Sequence, residues 1–589
     1  MSLHPNEVHR RGRLAGILVA TALAGLLAAF FRVQIVEHAQ FALQSDDNRL
    51  NEVPLPAPRG MILDRNGQVI AENIPGYTVS ILSPRRDSLR AELRRLASLV
   101  PMTDSQIDVL TRRYTPARPT VILPNATFEQ VSVLEEERSR FPSLVIQATP
   151  RRRYPDGQAV AAIVGYTGEI NEQELGTDAY RDYRPGQQIG RAGLERQYEA
   201  VLRGIDGSRF VEVDARGRVV RQAGARPDRL PVAGPDLRTT IDLDLQRFTA
   251  SLFDSTMQGG AVAIDPVTGD VLALHSAPIY DPNDFVGRIS RAKYQAYLDD
   301  PRKPLYHKAL QGVYPPASTF KLATAVIALE AGIVGLGDRM AQPCRGGYLF
   351  GTRFFRCWEK DGHGSLTLAQ AIEKSCDVYF YQLGLKLGLE RFLEGGTRLG
   401  FRQPSGIDLP DEKAPGWPEA AAYFDRLYGR NGWTNAVTLN LAIGQGENDQ
   451  TVLSMARFYT ALATDGNAVR PSLVRRPAER MRLFDLTPEQ MAGLRDALHG
   501  VVSTRGTAAS AAIRGVEVAG KTGTGQNAQD RNRDHAWFVG FAPKEDPKIV
   551  VAVLIAFGDH GYVAARLATK MMERYLKTTV IQPLNVTGG

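Results

Sequence analysis

The longest apolar run of the chain lies near its start and predicts a helix that can cross a membrane. Every residue from Leu14 to Phe31 is apolar or small, and arginines flank both ends of this run. About eighteen such residues just suffice to span a bilayer core as a helix. A cleaved signal peptide is the alternative, because Ala22-Leu23-Ala24 resembles a cleavage site, but cleavage there would leave half of the run on the mature protein. We therefore expect one uncleaved anchor, whose arginine-rich first end lies in the cytoplasm while the rest of the chain lies outside the membrane.

Beyond the anchor the hydrophobic pattern changes, and a second change marks a domain boundary. Short alternating runs around Asn66-Gly67 predict a hairpin, and mixed helix and strand patterns follow it. The segment "GARPDRLPVAGPDL" is rich in proline and glycine, which is typical of a linker. The sequence therefore predicts a cytoplasmic tail over residues 1–13, a transmembrane helix over 14–34, a pedestal domain over 35–235 and a second domain over 236–589.

The second domain has the pattern of an antiparallel sheet between helices. "GGAVAIDPVTGDVLALHSA" contains two alternating runs joined by a turn from Pro266 to Asp270, and a long helical region follows. "VEVAGKTGTG", "HAWFVGFAP" and "KIVVAVLIAFG" then predict three successive strands before a final amphipathic helix. The expected fold class is α+β, with five antiparallel strands in this domain and a mixed α/β pedestal before it.

Composition and charge narrow the class of protein further. Of the 589 residues, 43% are hydrophobic and 23% are charged, which excludes a largely disordered chain. The net charge of +7 suits a protein that works beside an anionic membrane or polymer. The basic residues are scattered and form no single patch, so we expect no nucleic-acid partner.

A serine and a lysine at the start of a long apolar helix form a candidate nucleophile and base. In "GVYPPASTFKLATAVIALEAG" two prolines precede Ser318, and Gly332 is the expected end of the helix. Ser318 and Lys321 share one helix face, and a serine at a helix N-terminus lies in the field of unpaired N–H groups. A lysine desolvated against this helix can lose its proton and act as a base. Ser290 and Lys293 have the same spacing but lack the prolines and the apolar helix.

Two further motifs follow in order along the chain. "EKSCDVYFYQLG" contains Ser375-Cys376-Asp377, and "VAGKTGTG" contains Lys521-Thr522-Gly523-Thr524 on a predicted strand. Ordered S-x-x-K, S-x-N/D and K-T-G motifs resemble those of penicillin-binding proteins and serine β-lactamases. The segments "RGMILDRNG" and "GRAGLERQYE" resemble the membrane-proximal pedestal of class B penicillin-binding proteins. The resemblance thus covers nearly the whole chain.

The resemblance implies a role for each residue of the three motifs. Ser318 is expected to attack the penultimate D-alanine carbonyl of a stem peptide, and Lys321 to accept its proton. Ser375, with Lys521 behind it, is expected to pass a proton to the leaving amine. The substrate's carboxylate is expected at Thr522, Thr524 and Lys521, and the oxyanion at the N–H groups of Ser318 and Thr524. Gly523 is expected to keep the strand edge bare for a substrate strand.

The same resemblance implies a D,D-transpeptidase that cross-links peptidoglycan, with D,D-carboxypeptidase as a possible side activity and β-lactams as inhibitors. Asp377 stands where most relatives have asparagine, and it is expected to contribute to catalysis; aspartate there is typical of the elongation-type enzyme, penicillin-binding protein 2. The division-type enzyme, a membrane-anchored β-lactamase and an inactive wall-binding scaffold are the alternatives. The implied partner is a membrane glycan polymerase of the SEDS type. The catalytic domain is expected in the periplasm.

All three cysteines of the chain lie between Cys344 and Cys376, close to a histidine. A disulfide between Cys344 and Cys357 that leaves Cys376 as a buried thiol is one interpretation. The other is a structural zinc site of Cys344, Cys357, His363 and Cys376, a ligand set that is typical of such sites. The flanking "RGG" and "DGHG" segments are turn-forming, and some elongation-type relatives resemble this in binding zinc. The sequence therefore favours one structural zinc ion, which would tie the second motif to the preceding loop.

Overall fold

The computed structural model describes residues 5–37, 50–115, 118–213, 219–221, 227–287, 289–503, 506–527 and 533–580. Residues 1–4 of the predicted tail, residues 38–49 of the predicted pedestal and residues 581–589 lie outside the described residues. Backbone contacts divide the chain into two compact units: residues 1–58, 75–151 and 204–233 form the first, and residues 59–74, 152–203 and 234–589 form the second. Because these units interleave along the chain, the linear domain boundary near residue 235 stays a prediction.

The helices and strands of the region before the linker alternate, and most are short. In chain order they are α1 (Pro5–Phe31), β1 (Leu50–Leu55), β2 (Ile62–Leu63), β3 (Val69–Ile81), α2 (Arg86–Leu96), α3 (Asp104–Arg112), β4 (Thr120–Ala126), α4 (Phe128–Glu136), β5 (Leu144–Arg153), α5 (Gln158–Val164), β6 (Thr167–Glu169), α6 (Glu172–Leu175), β7 (Gln188–Gly190), α7 (Gly193–Gln197), α8 (Glu199–Leu202), β8 (Gly207–Val213) and β9 (Val219–Arg221).

The region after the linker also contains both helices and strands. Its elements are β10 (Leu237–Arg238), α9 (Leu243–Ser251), β11 (Gln258–Ile264), β12 (Val271–Ala277), α10 (Arg291–Asp299), α11 (Lys321–Glu330), β13 (Gly347–Phe350), β14 (Arg353–Arg356), α12 (Leu368–Glu373), α13 (Asp377–Leu387), α14 (Leu389–Arg398), α15 (Ala421–Tyr428), α16 (Ala436–Ala442), α17 (Val452–Ala463), β15 (Asn467–Val469), β16 (Arg480–Arg482), α18 (Pro488–Val502), β17 (Ala519–Gly525), β18 (His535–Ala542), β19 (Ile549–Ala556) and α19 (Gly561–Val580).

The predicted anchor is a helix in the structure. α1 and the π-helical turn that follows it give a helical span from His9 to Val36, in which an 18-residue window has a mean hydropathy of 2.4 and is not buried. Its leucine, isoleucine and phenylalanine side chains are exposed, which is costly in water and favourable in lipid. Among the described residues this is the one helix long and apolar enough to cross a bilayer. It therefore provides a single-pass membrane anchor.

The first unit is a small mixed α/β body with its own apolar core. β1, β8 and β9 form one antiparallel sheet, and the second half of β3 pairs with β4. α3 and α4 each begin with a capping box, made by Thr103 and Thr127, which satisfies the N–H groups that a helix start leaves unpaired. Apolar side chains of α2, α3 and α4 pack on the strands. This unit has the α/β character that the sequence predicts.

The core of the second unit is a five-stranded antiparallel sheet in the order β12-β11-β19-β18-β17. Both of its faces are covered, because alternate residues of β11 point to two different apolar cores. Val262 and Ile264 belong to the core on the side of α11 and α17, while Ala261 and Ala263 belong to the core that includes α19. Strands buried on both faces have continuous apolar sequences. The predicted sheet between helices is confirmed.

The two pedestal segments that resemble a known family meet in a buried ion-pair network of the second unit. Glu195 of "GRAGLERQYE" is fully buried and accepts hydrogen bonds from Arg59 of "RGMILDRNG", from Arg152 and from Tyr154. Burial disfavours the charge of Glu195, but Arg152 and Arg59 together outweigh it and lower the pKa of this carboxyl group. Removing the carboxylate of Glu195 would leave Arg59 and Arg152 charged and buried without their partner.

We expect that Glu195→Gln destabilises the second unit by about 3–5 kcal/mol, because two arginines then lack their buried anion. Since the folded-state pKa of Glu195 is depressed, this contribution is present at neutral pH and is lost as the pH falls through the carboxylate range. Chemical unfolding of the two proteins at pH 7 measures the difference. Glu419→Gln, which alters an exposed pair with Arg426, is the control and is expected to cost less than about 1 kcal/mol. Equal costs would contradict a buried network.

Candidate active site

Ser318 lies on a tight turn at the start of α11, as the sequence predicts. Residues Ala317 to Phe320 form a 3₁₀ turn that continues directly into α11. Ala317 has a φ of +50°, a conformation that non-glycine residues rarely adopt and that is common at functional sites. Its N–H donates to the carbonyl of Gly444 at 2.8 Å, which fixes the turn. Ser318 is partly exposed, so a substrate can reach it.

Lys321 follows one turn later and connects the first motif to the second. Its side chain is fully buried, and Nζ donates to Asp377 Oδ1 at 2.7 Å, to the Ser375 carbonyl at 2.7 Å and to Ser375 Oγ at 3.3 Å. The structure thus brings Lys321, Ser375 and Asp377 together. Burial raises the pKa of Asp377, although the charge of Lys321 acts in the opposite direction. In this arrangement the amine of Lys321 contacts the second motif. Ser318 lies one helical turn before Lys321.

Trp358 is a site residue that the sequence does not reveal. Its backbone N–H donates to Asp377 Oδ2 at 3.1 Å, and its indole Nε1 donates to the Ser375 carbonyl at 3.1 Å. Trp358 lies in a loop with no periodic pattern, and a single aromatic residue there has no distinguishing signal. Only its position directly after Cys357 in the predicted metal loop could have drawn attention to it.

The third motif lies on β17, the edge strand of the main sheet. Lys521 is fully buried and donates to the Thr522 carbonyl at 3.1 Å. Burial, and then the charge of Lys321, lower its pKa well below the usual value, with Asp377 opposing the shift. Thr522 Oγ1 lies 2.8 Å from Thr507 Oγ1, and Thr524 is exposed. These residues place two hydroxyl groups and an amino group on one strand.

The glycine of the third motif has a packing role that the sequence analysis does not anticipate. A Cβ atom on Gly523 would lie 3.0 Å from the Pro316 carbonyl oxygen and 3.2 Å from a methyl group of Thr319. Gly525 likewise lies close to the Pro315 carbonyl. The two glycines therefore allow β17 to approach the turn that carries Ser318, so the first and third motifs are held side by side. The prediction that Gly523 leaves room for a substrate strand is not tested by this contact.

We expect that Gly523→Ala lowers the rate of acylation by about tenfold, because a contact of 3.0 Å forces β17 or the Ser318 turn to move. Gly337→Ala is the matched control, since a Cβ atom there meets nothing within 4 Å. Time courses of labelling with a fluorescent penicillin measure both variants. Acylation of Gly523→Ala at the rate of the control would show that this contact does not position the nucleophile.

The three cysteines and His363 form one cluster. The Sγ atoms of Cys344, Cys357 and Cys376 and a ring nitrogen of His363 all lie within 4.8 Å of one another. His363 Nδ1 is 3.7 Å from Cys344 Sγ and 3.5 Å from Cys357 Sγ. All three thiols are buried and none forms a disulfide in the structure. A hydrogen bond from Cys376 lowers the pKa of Cys357. The structure therefore brings together all four residues that the sequence proposes as metal ligands.

Comparison with known proteins agrees with this geometry over almost the whole chain. Residues 259–573 match the penicillin-binding protein transpeptidase domain, and residues 54–239 match the penicillin-binding protein dimerisation domain. The chain is 34% identical to the peptidoglycan D,D-transpeptidase MrdA of Haemophilus influenzae, over 96% of this chain and 91% of the relative. An apolar anchor, an N-terminal dimerisation domain and three ordered catalytic motifs in a domain with a sheet between helices define a class B penicillin-binding protein, and the chain belongs to this family.

Solved structures narrow the assignment within the family. Penicillin-binding protein 2 of Helicobacter pylori, solved in complex with MreC, superposes with a TM-score of 0.77 at 27% identity, over 90% of this chain and all of the other. A chain from a peptidoglycan synthase complex that coordinates polymerization and crosslinking has a TM-score of 0.69 at 28% identity, over 98% of this chain and 100% of the other. The protein is a peptidoglycan D,D-transpeptidase of the elongation type, in a family that β-lactams target.

Proposed function

We propose that Ser318 is the nucleophile of this transpeptidase and that Lys321 is its base. The main support for this proposal is the position of the buried amine of Lys321. It lies one turn after Ser318 and donates hydrogen bonds to the Ser375 carbonyl and to Asp377. A neutral amine keeps two N–H groups, which suffice for the Ser375 carbonyl and Asp377 Oδ1, and its lone pair is then available to the Ser318 hydroxyl. The oxygen of Ser318 attacks the penultimate D-alanine carbonyl as its proton moves to Lys321.

The second half of the reaction uses the other two motifs. When the tetrahedral intermediate collapses, the carbon–nitrogen bond breaks and the terminal D-alanine leaves as an amine, which takes a proton through Ser375. The substrate's carboxylate binds at Thr522 and Thr524 beside Lys521, and the N–H groups of Ser318 and Thr524 stabilise the oxyanion. An amine of a neighbouring stem peptide then attacks the ester, forms the cross-link and releases Ser318. Water in place of that amine gives the D,D-carboxypeptidase side reaction.

Mass spectrometry of the acylated protein tests the assignment of the nucleophile. After incubation with a β-lactam, the intact mass should rise by the mass of one inhibitor molecule, and digestion should locate the adduct on Ser318. The peptide that contains Ser290 should stay unmodified, since Ser290 only caps α10. No adduct, or an adduct on Ser290, would refute the proposed roles.

We propose further that Cys344, Cys357, His363 and Cys376 hold one zinc ion. The donor set fits, because a Zn–S bond of about 2.3 Å and a Zn–N bond of about 2.0 Å give a nitrogen–sulfur edge of about 3.5 Å in a tetrahedron, close to the distances of 3.7 and 3.5 Å from His363 Nδ1 to two of the sulfurs. Four protein ligands leave no open position, so the ion would supply structural bonds. Because Cys376 lies between Ser375 and Asp377, a zinc ion bound to Cys376 would also fix the positions of these two residues.

We also propose that α1 leaves the catalytic unit in the periplasm and forms part of the contact with a membrane glycan polymerase. The arginines before the span support the orientation. The likeness to a chain of a synthase complex that joins polymerization to crosslinking supports a polymerase as the partner, and the family resemblance implies one of the SEDS type. We expect that replacing 14–31 by an unrelated apolar helix weakens co-purification with the polymerase. Unchanged recovery would remove the anchor from that interface.

A further inference from the structure

Trp358 lies between the cysteine cluster and the second catalytic motif and contacts both. It directly follows Cys357, and its indole ring packs edge-on against the imidazole of His363, with 5.2 Å between ring centres. On the other side, its indole N–H donates to the Ser375 carbonyl at 3.1 Å and to the Lys374 carbonyl at 3.2 Å. Its backbone N–H donates to Asp377. One residue thus connects the metal loop to the atoms that hold Lys321.

The carbonyl group that Trp358 contacts belongs to a residue with an unfavourable backbone conformation. Ser375 has a φ of +56°, which a serine keeps only if its surroundings hold it there. Its carbonyl oxygen accepts two hydrogen bonds, from Lys321 Nζ and from the Trp358 indole. The direction of this carbonyl sets the position of the Lys321 amine, so a donor that fixes the carbonyl also fixes the base.

The exposure of Trp358 argues that its polar contacts matter more than burial of its ring. The residue is 54% exposed, and an aromatic ring that stays largely in water contributes little hydrophobic stabilisation. A phenylalanine could make the same edge-on contact with His363. The indole N–H is what a phenylalanine could not provide.

We propose that Trp358 is a positioning residue for acylation, whose indole N–H orients the Ser375 carbonyl and thereby the amine of Lys321. This rests on the roles proposed above for Ser375 and Lys321. Trp358 touches no reacting atom, so its loss should slow the formation of the acyl-enzyme without weakening the initial binding of the inhibitor. Substituting Trp358 removes none of the four residues of the cysteine cluster.

Two substitutions separate the N–H group from the ring. Trp358→Phe keeps an aromatic ring without a donor, and replacement of Trp358 by benzothienylalanine keeps the whole bicyclic shape with sulfur in place of N–H. Saturation kinetics with a chromogenic β-lactam give the acylation constant and the dissociation constant of the first complex separately. Trp433→Phe is the matched control, because it removes an indole hydrogen bond to Asp425 at 2.8 Å.

We expect both Trp358 variants to acylate about tenfold more slowly, an effect of the size that the loss of one hydrogen bond can produce, with the dissociation constant, the bound metal and the melting temperature unchanged. Wild-type acylation by the benzothienylalanine protein would overturn the proposal, since the N–H would then have no role. A slower rate accompanied by loss of metal or of thermal stability would also overturn it, in favour of a purely structural residue. Absence of acylation in the unsubstituted protein would instead refute the proposed function itself.

Discussion

Replacing Lys321 with arginine should slow the acylation of Ser318 by about 10²–10⁴-fold, the range that a general base contributes. Arginine can still donate a hydrogen bond to Asp377, but it cannot release its proton and so cannot accept one from the serine. The substitution thus separates the contact of residue 321 with Asp377, which is 2.7 Å long for Lys321, from the ability of the side chain to act as a base. The measurement is the second-order rate of labelling by a fluorescent penicillin, with Ser318→Ala setting the level at which no covalent label forms.

Lys293→Arg is the control for this experiment, because Lys293 has the same spacing from a serine and an ordinary exposed ion pair with Asp284. It is expected to label at the wild-type rate. Melting temperatures of both variants show whether the larger side chain is tolerated at the buried position. Acylation of a folded Lys321→Arg protein within a few-fold of wild type would exclude Lys321 as the base.

Protein purified without chelator should contain about one zinc ion per chain, and its three thiols should stay unreactive until a chelator is added. The reason is that all three sulfurs lie in one buried cluster with His363. His363→Ala removes one of the four proposed zinc ligands. Without the ion, Ser375 and Asp377 are no longer held in place through Cys376. We expect this variant to lose most of its zinc and to acylate at least about tenfold more slowly, although His363 is not among the residues proposed to bind substrate.

His499→Ala is the matched control, since His499 bonds to the Val518 carbonyl and lies outside the cluster. Metal content by elemental analysis and thiol titration before and after chelation distinguish the outcomes. A protein without metal that has one free thiol and one disulfide would establish the alternative interpretation of the cysteine pattern.

Local sequence patterns predict the elements of this fold better than their assembly. The main sheet follows from strand-length apolar runs, because strands with both faces buried have that pattern regardless of their neighbours. The sequence pattern does not predict the ion pair of Arg59 with Glu195, because charged residues are most often exposed to solvent. Only the meeting of two distant segments makes this pair buried.

In the active site, too, local sequence patterns predict the motifs but not the contacts between them. The three motifs are predictable from spacing and resemblance, which together imply that Lys321 works directly on Ser318. The hydrogen bonds of Lys321 to Ser375 and Asp377 depend on how α11 and α13 pack, which no local pattern contains. Trp358 escapes prediction because its contribution is a single N–H group whose acceptor lies seventeen residues away.

The interleaved second unit has a consequence for the export of the chain that the proposed orientation requires. Residues 59–74 and 152–203 emerge first from a translocating chain, but their apolar side chains, Ile62, Tyr154 and Leu194 among them, belong to one core with Val262, Val550 and Leu554. These early segments therefore remain uncovered until strands several hundred residues later have crossed the membrane. Such long-range contacts make folding slow and leave apolar surface open in the meantime. With the catalytic unit in the periplasm, as proposed above, the nascent protein should thus depend on periplasmic chaperones during its synthesis, even though its mature core is well packed.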